Sequence, residues 1–247
     1  MMNIVIPMAG HGSRFFKAGY QEPKPLVSVL GKPMIEWVIE NIRPSRPHRF
    51  IFICQAEHLR SFPLQSTLER LAPGCLIREV QGVTDGAACT ALFAKDLIDT
   101  RDPLMIANCD QYVDVEMDAY LAHETADGLI MTMKARDNKW SFIELDSTGR
   151  VIRVAEKEVV SDEATVGIYN YRYGADFVCA AEQMISKNLR VNNEFYVAPV
   201  YNELIAAGKR ITYYNIGSLA SGMYGLGTPE DLEAFVAIQS TLRAIER

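Results

Sequence analysis

The residues best suited to chemistry follow the first apolar run of the chain, which ends at Pro7-Met8. A loop with two glycines, Ala-Gly-His-Gly-Ser, comes next and leads to the basic side chains of Arg14 and Lys24. Glycines in a sharp turn let several backbone N–H groups face one concavity, which suits phosphate oxygens. Arg14 and Lys24 add the positive charge that such a neutral turn lacks. The segment therefore predicts a site for a phosphorylated ligand, with Lys24 stiffened by a proline on each side.

Two well-known phosphate motifs do not fit this loop. Residues 10–15 begin like the dinucleotide fingerprint GxGxxG, but Phe15 stands where close helix–strand packing needs glycine or alanine. This difference argues against a dehydrogenase. No GxxxxGK[ST] sequence occurs, so the loop is not a P-loop.

The elements that must position these residues alternate in the first half of the chain. Short, continuous apolar runs separated by helical patterns are typical of a parallel sheet covered on both faces. The predicted strands are residues 3–8, 49–54, 76–80 and 103–110, and the predicted helices are 33–42, 58–71 and 86–97. Such a doubly wound α/β sheet binds its ligands at the carboxyl ends of the strands.

The second half changes character and holds several strand-like runs. The predicted strands are residues 128–135, 141–146, 150–155, 166–173 and 210–216, and the predicted helices are 176–188 and 195–207. A last helix begins at Thr228-Pro-Glu-Asp, where Thr228 is a good N-cap and Pro229 suits the first helical position. No linker or repeat interrupts the chain. We therefore expect one domain over residues 1–247, with a nucleotide-binding half, 1–126, and an acceptor-binding half with the C-terminal helix, 127–247.

Composition and charge limit the class of partner. The net charge is −6 and 49% of the residues are hydrophobic, which argues against a nucleic-acid coat or a polybasic membrane surface. The five cysteines are scattered and form no CxxC pair, and no apolar stretch reaches the length of a membrane span. These features predict a soluble, reduced, cytoplasmic protein that binds neither nucleic acid nor membrane.

Five sequence elements together resemble those of the sugar-phosphate nucleotidylyltransferases, also called nucleotide-sugar pyrophosphorylases. They are PMAGHGSRF with PKPLVSVLGKPMIEWVIENI, QGVTDG, LMIANCDQ, VAEKEVVSDEATVGIYNY and GLGTPEDL, and they occur in the order of that family over nearly the whole chain. The resemblance implies a Rossmann-like GT-A type fold of the α/β class, with a mixed, mostly parallel central sheet and helices on both faces. This agrees with the fold class that the apolar pattern predicts.

The resemblance also implies a reaction and a set of site residues. A phosphate oxygen of a sugar 1-phosphate, or of a related phosphate acceptor, would attack the α-phosphorus of a nucleoside triphosphate (NTP) and release pyrophosphate, with Mg²⁺ as cofactor. Arg14 and Lys24 would be catalytic, and Asp110 would bind the metal. The nucleotide would contact Met8, Ala9, Gly10, Gly12, Ser13, Gln81, Asp85, Gly86 and Asn108. The acceptor would contact Ser141, Glu156, Lys157, Gly167, Asn193 and Glu194.

One position departs from the pattern of the resembled family. Many of its members carry a second metal-binding aspartate two residues before the GT of the last element, and here that position is Gly225. Either another carboxylate supplies the second ligand, or Asp110 and phosphates hold the metal alone.

Three alternatives remain open at the level of sequence. A GT-A glycosyltransferase would share the fold, but its Asp-x-Asp metal motif is missing, because Asp110 is followed by Gln-Tyr. A cytidylyltransferase with a non-hexose acceptor would change the substrate and not the chemistry. A non-catalytic sensor should have lost the basic loop or Asp110, and both are present.

The base and the acceptor stay open, as does the oligomeric state, although many members of the resembled family form oligomers. A role in nucleotide-sugar and polysaccharide biosynthesis is an expectation at the level of the family.

Overall fold

The computed structural model describes residues 1–245, so the last two residues of the predicted domain lie outside the described residues. The strands are β1 (Met2–Met8), β2 (Ser28–Val29), β3 (Lys32–Pro33), β4 (His48–Gln55), β5 (Leu76–Val80), β6 (Leu104–Ala107), β7 (Gln111–Val113), β8 (Gly128–Lys134), β9 (Ser141–Leu145), β10 (Val151–Glu156), β11 (Glu163–Tyr171), β12 (Ile211–Leu219) and β13 (Gly222–Gly225). The helices are α1 (Ser13–Lys17), α2 (Met34–Ile42), α3 (Ala56–Ser61), α4 (Leu64–Leu71), α5 (Ala87–Ala91), α6 (Lys95–Ile98), α7 (Met117–Leu121), α8 (Gly174–Ser186), α9 (Tyr201–Ala206) and α10 (Pro229–Ile245).

The fold is built around an 11-stranded mixed sheet. Its order is β5-β4-β1-β6-β11-β8-β12-β13-β7, with β9 paired to β10 and β11. Four strands of the first half, β5, β4, β1 and β6, are parallel. β11 runs antiparallel to both β6 and β8, while β8 and β12 are parallel. One sheet thus runs through both predicted halves, although the division into nucleotide and acceptor halves stays a prediction.

Alternation along β1 explains why both faces of the sheet are covered. Ile4 and Ile6 belong to one buried cluster, which includes side chains of α2 and α4. Val5, between them, belongs to a second cluster with side chains of α5 and α8. Successive side chains of a strand point to opposite faces, so a fully apolar β1 needs helices on both. The predicted α/β fold with helices on both faces is confirmed.

A third apolar cluster joins the C-terminal helix to the start of the chain. Phe15 of α1 packs there with Leu226, Leu232 and Phe235 of the segment that ends in α10. The ring of Trp37 in α2 meets Phe235 edge to face, with centroids 5.5 Å apart. This cluster fixes the beginning of α10 beside the glycine loop.

Several predicted elements differ in extent from the observed ones. The predicted strand 103–110 ends at Ala107, so residues 108–110 leave the sheet edge and carry their side chains beyond it. The predicted helix 58–71 is divided at Pro63 into α3 and α4 because proline cannot donate to the helical ladder. The predicted helix 195–207 is wrong over its first residues, because the N–H of Phe195 donates to Asp85 O. Its helical part begins with a 3₁₀ turn at Ala198–Val200.

No helix within residues 1–245 combines the length and the apolar character needed to cross a membrane.

Candidate active site

An ion pair between Lys24 and Asp110 lies at the carboxyl edge of the sheet. Lys24 Nζ is 2.7 Å from Asp110 Oδ2, and both side chains are mostly buried, with 22% of each exposed. Burial alone would lower the pKa of Lys24, but the charge of Asp110 and the hydrogen bond to it outweigh burial and raise that pKa. Lys24 therefore remains an ammonium group at neutral pH. The sequence predicted both residues for the site, and the fold brings them together across 86 positions.

The glycine loop of residues 9–12 is positioned by contacts with Gln55 and Lys24. The buried Gln55 donates its Nε2 to Ala9 O over 2.6 Å. Gly12 has φ +61°, and a Cβ there would lie 3.3 Å from Lys24 Cβ, so glycine lets the two segments touch. In the described part of the chain, the N–H groups of residues 10–13 have no hydrogen-bond acceptor. Free N–H groups beside an ammonium group are what phosphate oxygens require.

The loop borders a cavity of about 200 Å³, which we call the loop cavity. Met8, Ala9, Gly10, Lys24, Thr84 and Gly86 are among the residues that line it. Glu194, predicted for the acceptor, also lines this cavity. Gln81 and Asp85, predicted for the nucleotide, are not among the lining residues: Gln81 accepts a hydrogen bond from Arg60, and Asp85 pairs with Arg190.

A second cavity, of about 220 Å³, lies on the other side of the ion pair, and we call it the Asp110 cavity. Arg14, Asn108, Asp110, Gln111, Trp140 and Asp231 are among the residues that line it. Asn108, predicted for the nucleotide, thus faces the same cavity as the predicted metal ligand. Because Lys24 lines the loop cavity and contacts Asp110, the ion pair stands between the two cavities.

Two glycines were expected to admit a ligand, and each is instead approached closely by the protein itself. Gly86 has φ +121°, and a Cβ there would lie 2.5 Å from Phe195 O. Gly167 has φ +83°, and a Cβ there would lie 2.2 Å from Asn108 Nδ2. The absence of a side chain at these positions is therefore already required by packing. Gly86 still lines the loop cavity, whereas Gly167 O accepts a hydrogen bond from the N–H of Asn108.

Three of the six predicted acceptor residues, Ser141, Glu156 and Lys157, form a polar cluster at the ends of β9 and β10. Ser141 donates its hydroxyl to Glu156, and Lys157 Nζ donates to the Tyr196 hydroxyl over 2.8 Å. Burial raises the pKa of Glu156, while the hydrogen bond from Ser141 and the charge of Lys157 act in the opposite direction. The hydrogen bond to Tyr196 raises the pKa of Lys157. The cluster thus presents a carboxylate and an ammonium group next to each other.

The backbone around this cluster is left-handed at two of the predicted positions. Lys157 has φ +58° and Asn193 has φ +62°. This region costs a lysine about 1 kcal/mol or more, whereas asparagine adopts it more readily. The side chain of Asn193 is exposed, and the backbone carbonyl of this residue accepts a hydrogen bond from Arg190. Strain of this kind gathers where a site fixes the direction of a side chain.

Three site residues were missed at the level of sequence. Gln111 directly follows Asp110 but lies in β7, a three-residue strand with no clear apolar pattern. Asp231 was assigned only to the first turn of the last helix, and Tyr196 to no site. The signal available for Gln111 and Asp231 was their place within the LMIANCDQ and GLGTPEDL elements, but their convergence on one cavity depends on the tertiary fold.

A larger groove, of about 460 Å³, lies between α2 and residues 112–117. Arg43 is its one basic lining residue, against Glu40, Asp114 and Glu116. This charge does not suit a polyphosphate, so we assign the chemistry to the two cavities around Lys24 and Asp110.

Comparison with known proteins places the chain in a family. The family model described as "Nucleotidyl transferase" matches residues 4–213. The chain belongs to the nucleotidyl transferase family. The resemblance found in the sequence is thereby confirmed, as is the expected enzyme class, nucleotidyltransferase.

Curated relatives of this nucleotidyl transferase family member are distant in sequence. The bifunctional protein GlmU of Methanocaldococcus jannaschii is 24% identical over 179 residues, which cover 69% of this chain and 40% of that protein. The mannose-1-phosphate guanylyltransferase catalytic subunit beta of Danio rerio is 23% identical over 176 residues, which cover 68% of this chain and 49% of that protein. The matches therefore span less than half the length of these relatives.

Solved structures match over nearly the whole chain. A nucleoside-diphosphate-sugar pyrophosphorylase from Vibrio cholerae superposes with a TM-score of 0.81 and 28% identity, covering 95% of this chain and 99% of that one. A UDP-glucose pyrophosphorylase complexed with UDP-glucose superposes with a TM-score of 0.75 and 15% identity, covering 98% of this chain and 99% of that one. The second likeness concerns the fold alone.

Proposed function

We propose that the protein joins an NTP and a sugar 1-phosphate, or a closely related phosphate acceptor, to give a nucleoside-diphosphate sugar and pyrophosphate. The observation that carries this proposal is the Lys24–Asp110 ion pair, which stands between a cavity lined by the glycine loop and a second cavity lined by Asn108 and Trp140. Two polyanionic substrates on either side of a buried ammonium group would meet at that group.

The donor set around Asp110 fits a Mg²⁺ ion. Asp110 Oδ1 has no partner among the described residues, and Gly227 leaves room beside the carboxylate, since a Cβ there would lie 2.8 Å from Asp110 Oδ2. Within residues 1–245 no group of three or more His, Cys, Asp or Glu side chains could hold a metal ion. Mg²⁺ in phosphate sites is commonly bound by one or two carboxylates and completes its shell with water and phosphate oxygens. When bound, it would neutralise phosphate charge as the transition state forms.

Different residues of the chain would then have separate roles in an in-line displacement. The free N–H groups of residues 10–13 would bind the triphosphate, and Arg14 and Lys24 would neutralise its charge. An oxygen of the acceptor phosphate forms the new bond to the α-phosphorus. The bond from the α-phosphorus to its bridging oxygen breaks, and pyrophosphate leaves with that electron pair. The acceptor is already an anion, so no side chain needs to remove a proton, and positioning supplies most of the rate.

The acceptor class is inferred from the polar cluster at β9 and β10. A carboxylate such as Glu156 accepts hydrogen bonds from sugar hydroxyls, and Lys157 suits the phosphate. The names of the relatives support a sugar, since they include a mannose-1-phosphate guanylyltransferase and a nucleoside-diphosphate-sugar pyrophosphorylase. A cytoplasmic role in nucleotide-sugar supply for polysaccharide synthesis, and assembly into a homo-oligomer, belong to the same proposal.

The test is pyrophosphate release in the presence of Mg²⁺. Each of CTP, UTP, dTTP, GTP and ATP is combined with a panel of sugar 1-phosphates and with small phosphate acceptors that lack a hexose. Release that requires one NTP together with one acceptor supports the proposal, and a non-hexose acceptor would identify the cytidylyltransferase-like alternative. Absence of release in every combination, together with binding of a nucleotide sugar, would reject the proposal in favour of a glycosyltransferase or a sensor.

A further inference from the structure

The sequence leaves the second metal-binding carboxylate of the resembled family without a residue, because Gly225 stands at its position. In the structure Gly225 ends β13 and pairs with Gln111 of β7. The next residue, Leu226, donates its N–H to Asp110 O over 2.8 Å. The segment 225–227 therefore runs directly alongside Asp110.

Two carboxylates flank this short segment. A Cβ at Gly227 would lie 2.8 Å from Asp110 Oδ2, and a Cβ at Gly225 would lie 3.4 Å from Asp231 Cγ and from its Oδ2. Asp110 and Asp231 line the same cavity of about 220 Å³. The missing side chain at Gly225 thus leaves a space against which the Asp231 carboxylate lies.

Asp231 is held in place by its backbone and leaves its carboxylate free. Its N–H donates to Thr228 Oγ1 over 3.1 Å, the N-cap interaction that starts α10. Burial of Leu232 and Phe235 in the cluster around Phe15 fixes the position of this helical turn. Among the described residues, neither a cation nor a hydrogen-bond donor contacts the Asp231 carboxylate.

An independent observation indicates that the cavity receives a ligand. Gln111 is 2% exposed, lines the Asp110 cavity and has an Nε2 group without a hydrogen-bond partner. A buried N–H donor in a native protein is nearly always satisfied, by protein, water or ligand. The unpaired Asp231 carboxylate and Asp110 Oδ1, the oxygen that Lys24 does not contact, belong to the same cavity as this unsatisfied amide. Carboxylate oxygens of this kind suit a divalent cation that completes its shell with water and phosphate oxygens.

We propose that Asp231 supplies the second carboxylate for a divalent cation bound at Asp110, from the first turn of α10 instead of from position 225. This inference rests on the proposed function for the presence of a metal. It assigns a ligand that lies six residues after the expected position, on a different element.

The experiment is titration of the whole protein with Mn²⁺, in the absence of substrates, with free Mn²⁺ measured by its EPR signal. Asp231→Asn is expected to weaken Mn²⁺ binding about tenfold or more, the size of effect typical of residues that support a metal site. Asp110→Asn serves as the reference for loss of a ligand. Glu230→Gln removes the same charge from the same helical turn at an exposed side chain, and it should leave Mn²⁺ affinity unchanged.

A second variant moves the carboxylate to the position expected from sequence. Gly225→Asp in the Asp231→Asn background should recover Mn²⁺ binding, because Gly225 does not have a positive φ and a Cβ there makes only an ordinary contact. Melting temperatures establish that each variant is folded. If Asp231→Asn does not fold, Asp231→Ser is used in its place. Unchanged Mn²⁺ affinity in the folded Asp231 variant would overturn the proposal.

Turnover is measured separately so that the two proposals can fail independently. Mn²⁺ binding that depends on Asp231, without pyrophosphate release from any substrate pair, would uphold the metal ligand and reject the proposed reaction. Pyrophosphate release by the wild type, with an Mn²⁺ affinity that does not change when Asp231 is replaced, would uphold the proposed reaction and reject Asp231 as a metal ligand.

Discussion

At the scale of single residues, Lys24 is the group on which the proposed chemistry depends most. Its ammonium group is mostly buried and 2.7 Å from Asp110 Oδ2. A cation in such a setting acts on phosphate with little screening by water, and its charge is already oriented before substrate arrives. Arg14, which lines the neighbouring cavity, is exposed and therefore acts in a more screened environment.

Replacing Lys24 by a neutral side chain of similar length should separate the effect of its charge on turnover from the effect of its packing. We expect Lys24→Met to lower kcat by about 10²–10³-fold, the usual effect of removing one preorganised donor from a transition state. Lys17→Met is the matched control, since Lys17 is exposed at the end of α1. Steady-state pyrophosphate release measures both variants. Near wild-type kcat in Lys24→Met would show that the ammonium group does not act on the reacting phosphates.

The Ser141 hydroxyl offers a test of the acceptor cluster through pH. It donates to the Glu156 carboxylate, and this hydrogen bond lowers the pKa of Glu156 against the upward effect of burial. Ser141→Ala should therefore raise that pKa further. If ionised Glu156 binds the acceptor, the acidic limb of the kcat/KM profile moves to higher pH, because the carboxylate becomes protonated earlier as pH falls.

Ser161→Ala is the control for this pH effect. Its hydroxyl donates to Ile143 O in the same β-sheet region and does not contact Glu156. An acidic limb that shifts equally in both variants, or in neither, would contradict the role of Glu156.

At the scale of elements, the loop cavity depends on a contact between two distant segments. Phe195 N donates to Asp85 O over 2.7 Å, and Ala88 N donates to Phe195 O over 3.0 Å. This pairing holds residues 193–195 against the start of α5 and places Glu194 at the cavity. Gly86 is the position that lets the two backbones meet.

Gly86→Ala should therefore destabilise the protein more than an ordinary glycine replacement. Its Cβ would lie 2.5 Å from Phe195 O at φ +121°, and we expect a loss of about 2–4 kcal/mol in the free energy of unfolding. Gly82→Ala also places an alanine at positive φ, +72°, but no atom lies within 4 Å of its Cβ, so it should lose only about 1–2 kcal/mol. Urea denaturation compares the two. Equal losses would mean that the contact with Phe195 contributes nothing.

The elements that sequence predicts well are those with a strong local pattern. β1, β4 and β5 appear within two residues of their predicted limits because continuous apolar runs mark buried parallel strands. β7 and β13 were not predicted, since three- and four-residue strands containing Gln or Gly carry no such pattern. The start of the predicted helix at 195 failed because Phe195 pairs with Asp85, a contact that only the tertiary fold creates.

At the scale of the whole molecule, one sheet joins the glycine loop to the polar cluster at the ends of β9 and β10. β11 pairs with β6 on one side and with β8 on the other, so both sets of residues sit on one framework. Sequence could predict the loop, Lys24 and Asp110, because the loop and Lys24 belong to one sequence element and Asp110 belongs to another. It could not place Gln111 beside Asp231, which are 120 positions apart and meet only when α10 packs against Phe15.

The most direct test of the proposed reaction follows the phosphate oxygens of the acceptor. A sugar 1-phosphate labelled with ¹⁸O in its phosphoryl oxygens is incubated with the protein and with the NTP that supports pyrophosphate release. The masses of the products are then measured by mass spectrometry. Attack of the acceptor phosphate on the α-phosphorus predicts that every label remains in the nucleoside-diphosphate sugar and that the pyrophosphate is unlabelled. Label in the pyrophosphate, or formation of a free nucleoside monophosphate instead of the sugar nucleotide, would contradict it.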